Sequence, residues 1–266
     1  MYINYNSTLY LGKGAMNLMT DTTMNGGLTA QQVSQYEADG YTLYKKPVFS
    51  SAKFDKLKAI FEEDLAKYGE DDLDTIHWRD ERLLEFLLSD EVVALVEPLV
   101  GPNIGLWSSH FISKPPFKGK ATPWHEDSTY WNGRITTMAG ICTVWLAIDE
   151  ATPENGCMSV IPGTHINGFS EYEAVDEALN IFGSEIKKNL IDEDKAVYFS
   201  LKPDECSLHE ARIIHGAKAN ASPKRRAGYT MRYFPTTSLV IPEKNPGRRL
   251  WLVKGKDQAG NNFENA

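Results

Sequence analysis

The spacing of apolar positions changes character near residue 104. Before it, apolar residues recur at helical intervals. Thr29 opens a first helix with Gln32 three residues on as capping-box partner, and Gly40 supplies a stop. A second helix is predicted from about Ala52 to Tyr68, because Phe54, Leu57, Ile60, Phe61, Leu65 and Tyr68 share one face. Ser89 or Asp90 caps a third, which Pro98 and Gly101 are expected to end. Residues 1–27 mix Asn, Thr, Met and Gly without sustained period and read as a loose N-terminal arm.

Beyond residue 104 the pattern shortens to β-like runs divided by turn residues. Ile104 to Lys114 alternates until Pro115-Pro116 breaks it. Thr143 to Asp149 is apolar and rich in β-formers, and Thr152 to Gly156 turns the chain. Met158 to Ile161, Val197 to Leu201, Ser207 to Ile214 and Gly228 to Phe234 repeat the theme. Many short strands with regular turns predict a mainly β sandwich or barrel rather than a βαβ fold. The expected organisation is one domain over 28–266, with helical support at about 28–101 and the β core at about 104–240. GxGxxG, P-loop and GxSxG patterns are absent, which removes the usual anchors of nucleotide-binding and serine-hydrolase readings.

Composition narrows the partners. The chain has 266 residues, 42% hydrophobic and 24% charged, enough for a sizeable core. Its net charge of −8 argues against a nucleic-acid backbone as partner, though a local basic pocket stays open. Neither a signal-like N-terminus nor a run long enough to span a membrane occurs, and Phe263-Glu264-Asn265-Ala266 spells no peroxisomal address. The expected compartment is the cytoplasm. Cys142, Cys157 and Cys206 form no CxxC pair and are expected as buried free thiols.

The candidate chemistry lies in Trp124-His125-Glu126-Asp127. In an extended segment, side chains two apart share a face, so His125 and Asp127 are expected to converge on one metal ion. His215, at the end of a β-like run and before Gly216, is the best third ligand. Two histidines and a carboxylate on one face of a metal leave positions open, an arrangement favoured for ferrous oxygenases. Arg226, eleven residues on, offers a guanidinium fork for a carboxylate. His110 is equally readable as a pocket residue or a packed one, while His77, His165 and His209 read as structural. Lys45, Lys46, Arg248 and Arg249 could attract an anionic group, but a solvated face is the commoner fate of such charges and is the expectation here.

These residues, with their neighbours, resemble the phytanoyl-CoA dioxygenase family of iron(II)/2-oxoglutarate oxygenases. The segments that carry the likeness are 124–131, Thr143 to Asp149, Glu154 to His165, His215-Gly216, and Arg225 through Gly228 to Arg232-Tyr233. Leu28-Thr29, Tyr36 and Asp39-Gly40-Tyr41 look like that family's opening. The resemblance implies a double-stranded β-helix (jelly roll, cupin-like) braced by N-terminal α-helices. It implies iron(II) on His125, Asp127 and His215, and O2 and 2-oxoglutarate as co-substrates, with decarboxylation to succinate. The distal carboxylate of 2-oxoglutarate would fall to Arg226, with Arg225 as the less favoured neighbour, and Lys114, Trp145 and Glu126 would belong to the co-substrate pocket. Glu126 stands where glutamine is common, and Ala217 where a serine often helps hold 2-oxoglutarate. The retained carboxylate of Asp127 favours hydroxylation over halogenation. Tyr130, Trp131 and Arg134, with His110, are candidates for the substrate pocket. The expected substrate is a small organic metabolite, an acyl-CoA following only from the family name. Two rivals stand beside this reading: a catalytically silent cupin-like binding protein, and a zinc-dependent hydrolase or isomerase.

Overall fold

The computed structural model describes residues 26–264, so the expected arm over 1–27 lies outside the described residues except for its last two positions. The elements in chain order begin with α1 (Ala30–Asp39), β1 (Tyr41–Tyr44) and α2 (Ser51–Tyr68). Next come α3 (Leu84–Leu87), α4 (Asp90–Val100), β2 (Ile104–Lys114), β3 (Thr122–His125) and α5 (Asp127–Trp131). Then follow β4 (Cys142–Ala147), β5 (Met158–Val160), β6 (Tyr172–Ala174), β7 (Ser184–Ile186) and β8 (Val197–Tyr198). The last strands are β9 (Cys206–Glu210), β10 (His215–Ala217), β11 (Arg226–Pro235) and β12 (Trp251–Lys254).

Local chemistry explains the helices. Thr29 and Gln32 form a reciprocal capping box on α1, and Gly40 ends it in the left-handed region at φ 80°. On α2, Phe54, Leu57, Ile60 and Phe61 are buried, while Leu65 and Tyr68 pack at the margin. Ser89 caps α4, but Pro98 does not end it. The helix runs through Pro98 to Val100 and stops at Gly101, because a proline near the last turn forfeits only one internal hydrogen bond. These helices cover one face of a six-stranded sheet ordered β1-β9-β4-β11-β2-β12. Opposite it stands a four-stranded sheet ordered β3-β10-β5-β8, and β6 pairs with β7 in a separate hairpin. Every strand pair is antiparallel, giving the jelly roll. The large sheet also draws on strands outside 104–240, namely β1 and β12.

The period-two rule divides the large sheet cleanly. On β11, Ala227, Tyr229, Met231 and Tyr233 enter the core beneath the helices. Arg226, Thr230 and Arg232 face the other way, onto a cavity between the sheets. The β2 strand is buried on both faces over most of its length, so its burial does not alternate as its sequence does. All three cysteines are buried and free. Among the described residues no helix is long and apolar enough to cross a membrane.

Candidate metal centre

The cavity encloses about 370 Å³ and opens between the two sheets. His125, Asp127 and His215 line it together, all buried, and offer ligand atoms within 4.8 Å of one another. Their approach follows from the register of the small sheet, where His215 stands directly across from His125, with ring centroids 4.1 Å apart.

The route of Asp127 to the cluster differs from the sequence expectation. His125 ends β3, Glu126 is the extended cap residue, and Asp127 is the first residue of the short helix α5. A strand-to-helix turn, not alternation along one strand, therefore brings the carboxylate to His125, at 3.9 Å from its Nε2. Likewise His215 begins β10 rather than ending a strand. Gly216 makes no turn: it lies within β10, where the Trp124 ring would stand 3.2 Å from any added Cβ.

The donor set fits a divalent metal. His125 Nδ1 donates to the Pro123 carbonyl at 2.8 Å and His215 Nδ1 to the Ile213 carbonyl at 3.0 Å. A carbonyl can only accept, so each ring keeps its hydrogen on Nδ1 and presents the Nε2 lone pair for coordination. Burial and the neighbouring His215 ring push the His125 pKa down to about 3, which keeps it neutral. Burial opposes charge on Asp127, but the adjacent Arg232 guanidinium above all holds its carboxyl well below the usual range. Arg232 Nε lies 3.2 Å from Asp127 Oδ2, and Thr143 donates to the same oxygen at 3.4 Å. The result is two imidazole nitrogens and one anchored anionic oxygen.

At the opposite end of the cavity-facing row of β11 lies Arg226, six residues before Arg232. At ~3.3 Å per strand residue their backbones are roughly 20 Å apart. Arg226 is buried. Its Nε and one terminal nitrogen donate to the Gly156 carbonyl at 3.0 and 2.8 Å, and its guanidinium lies over the Trp145 ring at 5.3 Å. Trp145 in turn packs against the bare Cα of Gly228 on the neighbouring strand.

Arg226, Trp145, His110, Tyr130, Trp131 and Arg134 all line the cavity. Two co-substrate candidates do not. The Lys114 ammonium is buried and donates to the carbonyls of Ala217 and Lys218, tying the two sheets together. Burial and adjacent Arg226 push its pKa down to about 6. Glu126 turns its carboxylate onto Ser170 and Thr129, where it pins the loop ahead of β6.

Among the lining residues that escaped the sequence reading, four stand out for the polar groups they bring. His209, read as structural, faces the cavity with its ring 5.0 Å from His215. Arg248, read as solvated, also lines the cavity and lies 4.1 Å over the Trp107 ring. Arg232 and Thr143 complete the set. For Arg232 a signal existed: it shares strand parity with Arg226, and a buried aspartate needs a cation. No comparable signal marked Arg248.

A jelly roll whose two sheets close over a buried His-Asp-His cluster defines a class of metal-site proteins. The chain belongs to the phytanoyl-CoA dioxygenase family, whose profile matches residues 23–228. It is 26% identical over 175 residues to the phytanoyl-CoA dioxygenase domain-containing protein 1 homolog of Caenorhabditis elegans, covering 64% of this chain and 60% of that protein. It is 30% identical over 149 residues to the peroxisomal phytanoyl-CoA dioxygenase of Bos taurus, covering 54% of this chain and 43% of that one. The chain thus spans about half the length of these curated relatives. In structure it is similar to SnoK, a non-heme alpha-ketoglutarate-dependent carbocyclase from nogalamycin biosynthesis. The TM-score is 0.68 at 23% identity, with 83% of this chain and 89% of that one covered. At that identity the likeness speaks for the fold.

Proposed function

We propose that this protein is an iron(II)- and 2-oxoglutarate-dependent dioxygenase that oxidises a small organic molecule, by hydroxylation in the first instance. The observation that carries the reading is one cavity lined both by the His125, Asp127 and His215 cluster and by the buried guanidinium of Arg226. Family membership supports the same reaction class.

In this reading His125 Nε2, His215 Nε2 and an oxygen of Asp127 would hold the metal. Arg226 takes the distal carboxylate of 2-oxoglutarate, and the Gly156 carbonyl keeps its fork in a fixed orientation before the co-substrate arrives. Trp145 forms the wall beside that carboxylate. Arg232 and Thr143 anchor Asp127 Oδ2 from the large sheet, leaving Oδ1, the oxygen nearer His125, for the metal. Trp107, Trp131 and Phe182 make much of the remaining lining apolar and exclude water from the reacting centre. When bound, ferrous iron with 2-oxoglutarate and O2 supplies the oxidising power for attack on a C–H bond, the co-substrate leaving as succinate and carbon dioxide.

Anaerobic titration tests the reading. Iron(II) followed by 2-oxoglutarate is expected to give a visible charge-transfer band that Asp127→Asn abolishes. A catalytically silent binding protein gives no band, and turnover that persists without O2 would identify a zinc-type hydrolase instead.

A further inference from the structure

Four arginines and two aspartates line the cavity of a chain whose overall charge is −8. Positive charge is therefore concentrated where a substrate must enter. Two of the four arginines have tasks already: Arg226 at the co-substrate end, and Arg232 against Asp127. Arg134 and Arg248 have none. Among the described residues neither lies within ion-pair distance of a carboxylate.

Both guanidiniums lie over the same aromatic ring, Trp107, at 5.4 Å for Arg134 and 4.1 Å for Arg248. Each is also held in place by neutral groups. Arg134 donates through Nε to the side-chain oxygen of buried Asn245 at 2.9 Å, and Asn245 returns a bond to the Arg134 carbonyl at 2.8 Å. Arg248 gives one nitrogen to the Trp107 carbonyl at 3.3 Å. The terminal nitrogens of Arg134 and the remaining nitrogens of Arg248 find no protein acceptor among the described residues. Distances of 5.4 and 4.1 Å to one ring centroid put the two guanidinium carbons no more than 9.5 Å apart, so the like charges repel each other unless an anion lies between them. Two neighbouring guanidiniums with free terminal nitrogens can grip a carboxylate, sulfate or phosphate through several charge-assisted hydrogen bonds. Bound iron(II) and 2-oxoglutarate would cancel each other's charge and leave this surplus intact.

We propose that the substrate is a small organic anion whose charged group is bound by Arg134 and Arg248 on Trp107, at the end of the cavity away from Arg226. This assignment rests on the oxygenase reading above for the word substrate, but the anion site stands on its own geometry. Asp74 also lines the cavity, with its carboxylate 3.7 Å from His110 Nδ1, so the pocket discriminates against a second anionic group placed there.

The test is calorimetric titration of the full-length, metal-free protein with four probes that share one ring: 3-phenylpropionate, phenyl phosphate, phenyl sulfate and the neutral 3-phenylpropanamide. At least one anion is expected to bind about tenfold or more tightly than the amide, and the strongest of them names the group. Arg134→Gln and Arg248→Gln should each lose that preference, while Arg134→Lys and Arg248→Lys retain part of it, which separates loss of charge from loss of fold. Equal affinity for amide and anions overturns the proposal. So does a preference that disappears with Arg226→Gln but survives Arg134→Gln and Arg248→Gln, since the anion then sits at the opposite end. The iron/2-oxoglutarate band is read in parallel. A band without anion selectivity removes this inference alone, and anion selectivity without a band removes the oxygenase reading while the anion site remains.

Discussion

Replacing Gly228 with alanine perturbs the site without touching a polar group. The new Cβ would stand 2.1 Å from Trp145 Cζ2 and 2.4 Å from Cε2, where ordinary contact begins at 3.4 Å. The indole must therefore retreat by roughly 1.3 Å, the difference between those two distances. Behind it, Tyr41, Ala147, Ala151, Met158 and Phe199 pack with it in one buried cluster that resists displacement. The remaining direction is toward the cavity, into the space beside Arg226. Overpacking of this kind costs about 1–3 kcal/mol. For a chain of this size that is roughly 2–4 °C of melting temperature per kcal/mol, so a loss of about 5 °C is expected. The same displacement narrows the seat of 2-oxoglutarate, and its affinity should fall about tenfold. Metal affinity should hold, because the three ligands lie on other elements. Circular dichroism melts and anaerobic titration of the charge-transfer band measure the two effects. A variant that melts within a degree of the parent and binds 2-oxoglutarate unchanged refutes the claim that Trp145 is wedged between Gly228 and Arg226.

Two further outcomes follow from single groups. Arg226→Lys keeps the charge but loses the fork, so 2-oxoglutarate binding should weaken roughly 10–100-fold with metal affinity unchanged, as read by manganese(II) titration; equal loss of both would show that Arg226 serves the fold rather than the co-substrate. Asp64 is buried in α2 with one carboxylate oxygen lacking a partner, and burial together with nearby Asp80 pushes its pKa up to about 6. A raised carboxyl pKa means that ionisation penalises the folded state above about pH 6 and not below about pH 4. Asp64→Asn should then raise the melting temperature at pH 7.5 by a few degrees and leave it unchanged at pH 4, and a gain that is the same at both values would disprove the origin assigned to it.

Much of the site was legible because its chemistry is local. His125, Glu126 and Asp127 are consecutive, so some turn or strand had to bring the imidazole and the carboxylate near one another, whichever backbone path it took. The path itself was not legible. Nothing in Asp127 to Trp131 distinguishes one turn of helix from continued strand, and the helix is held by tertiary contacts such as Ser128 N to the Ala211 carbonyl at 2.9 Å. His209 escaped for a related reason. Its place in the cavity depends on β9 pairing with β4, which sets it beside Thr143, and on β10 carrying His215 toward it from the other sheet.

What the sequence determined by itself were the periods: the helical faces before residue 104, the short strands after it, and the parity that puts Arg226, Thr230 and Arg232 on one side of β11. Periodicity is set within a few residues by backbone geometry, so it can be read without a fold. What only the tertiary structure decided was which face meets which. Arg248 looks like a surface charge until β12 pairs with β2 and the segment before it lays the guanidinium over Trp107. Glu126 looks like a pocket residue until Ser170, forty-four positions away, claims its carboxylate. Such long-range pairings depend on the closing of two sheets over one cavity, and no local pattern encodes that closure.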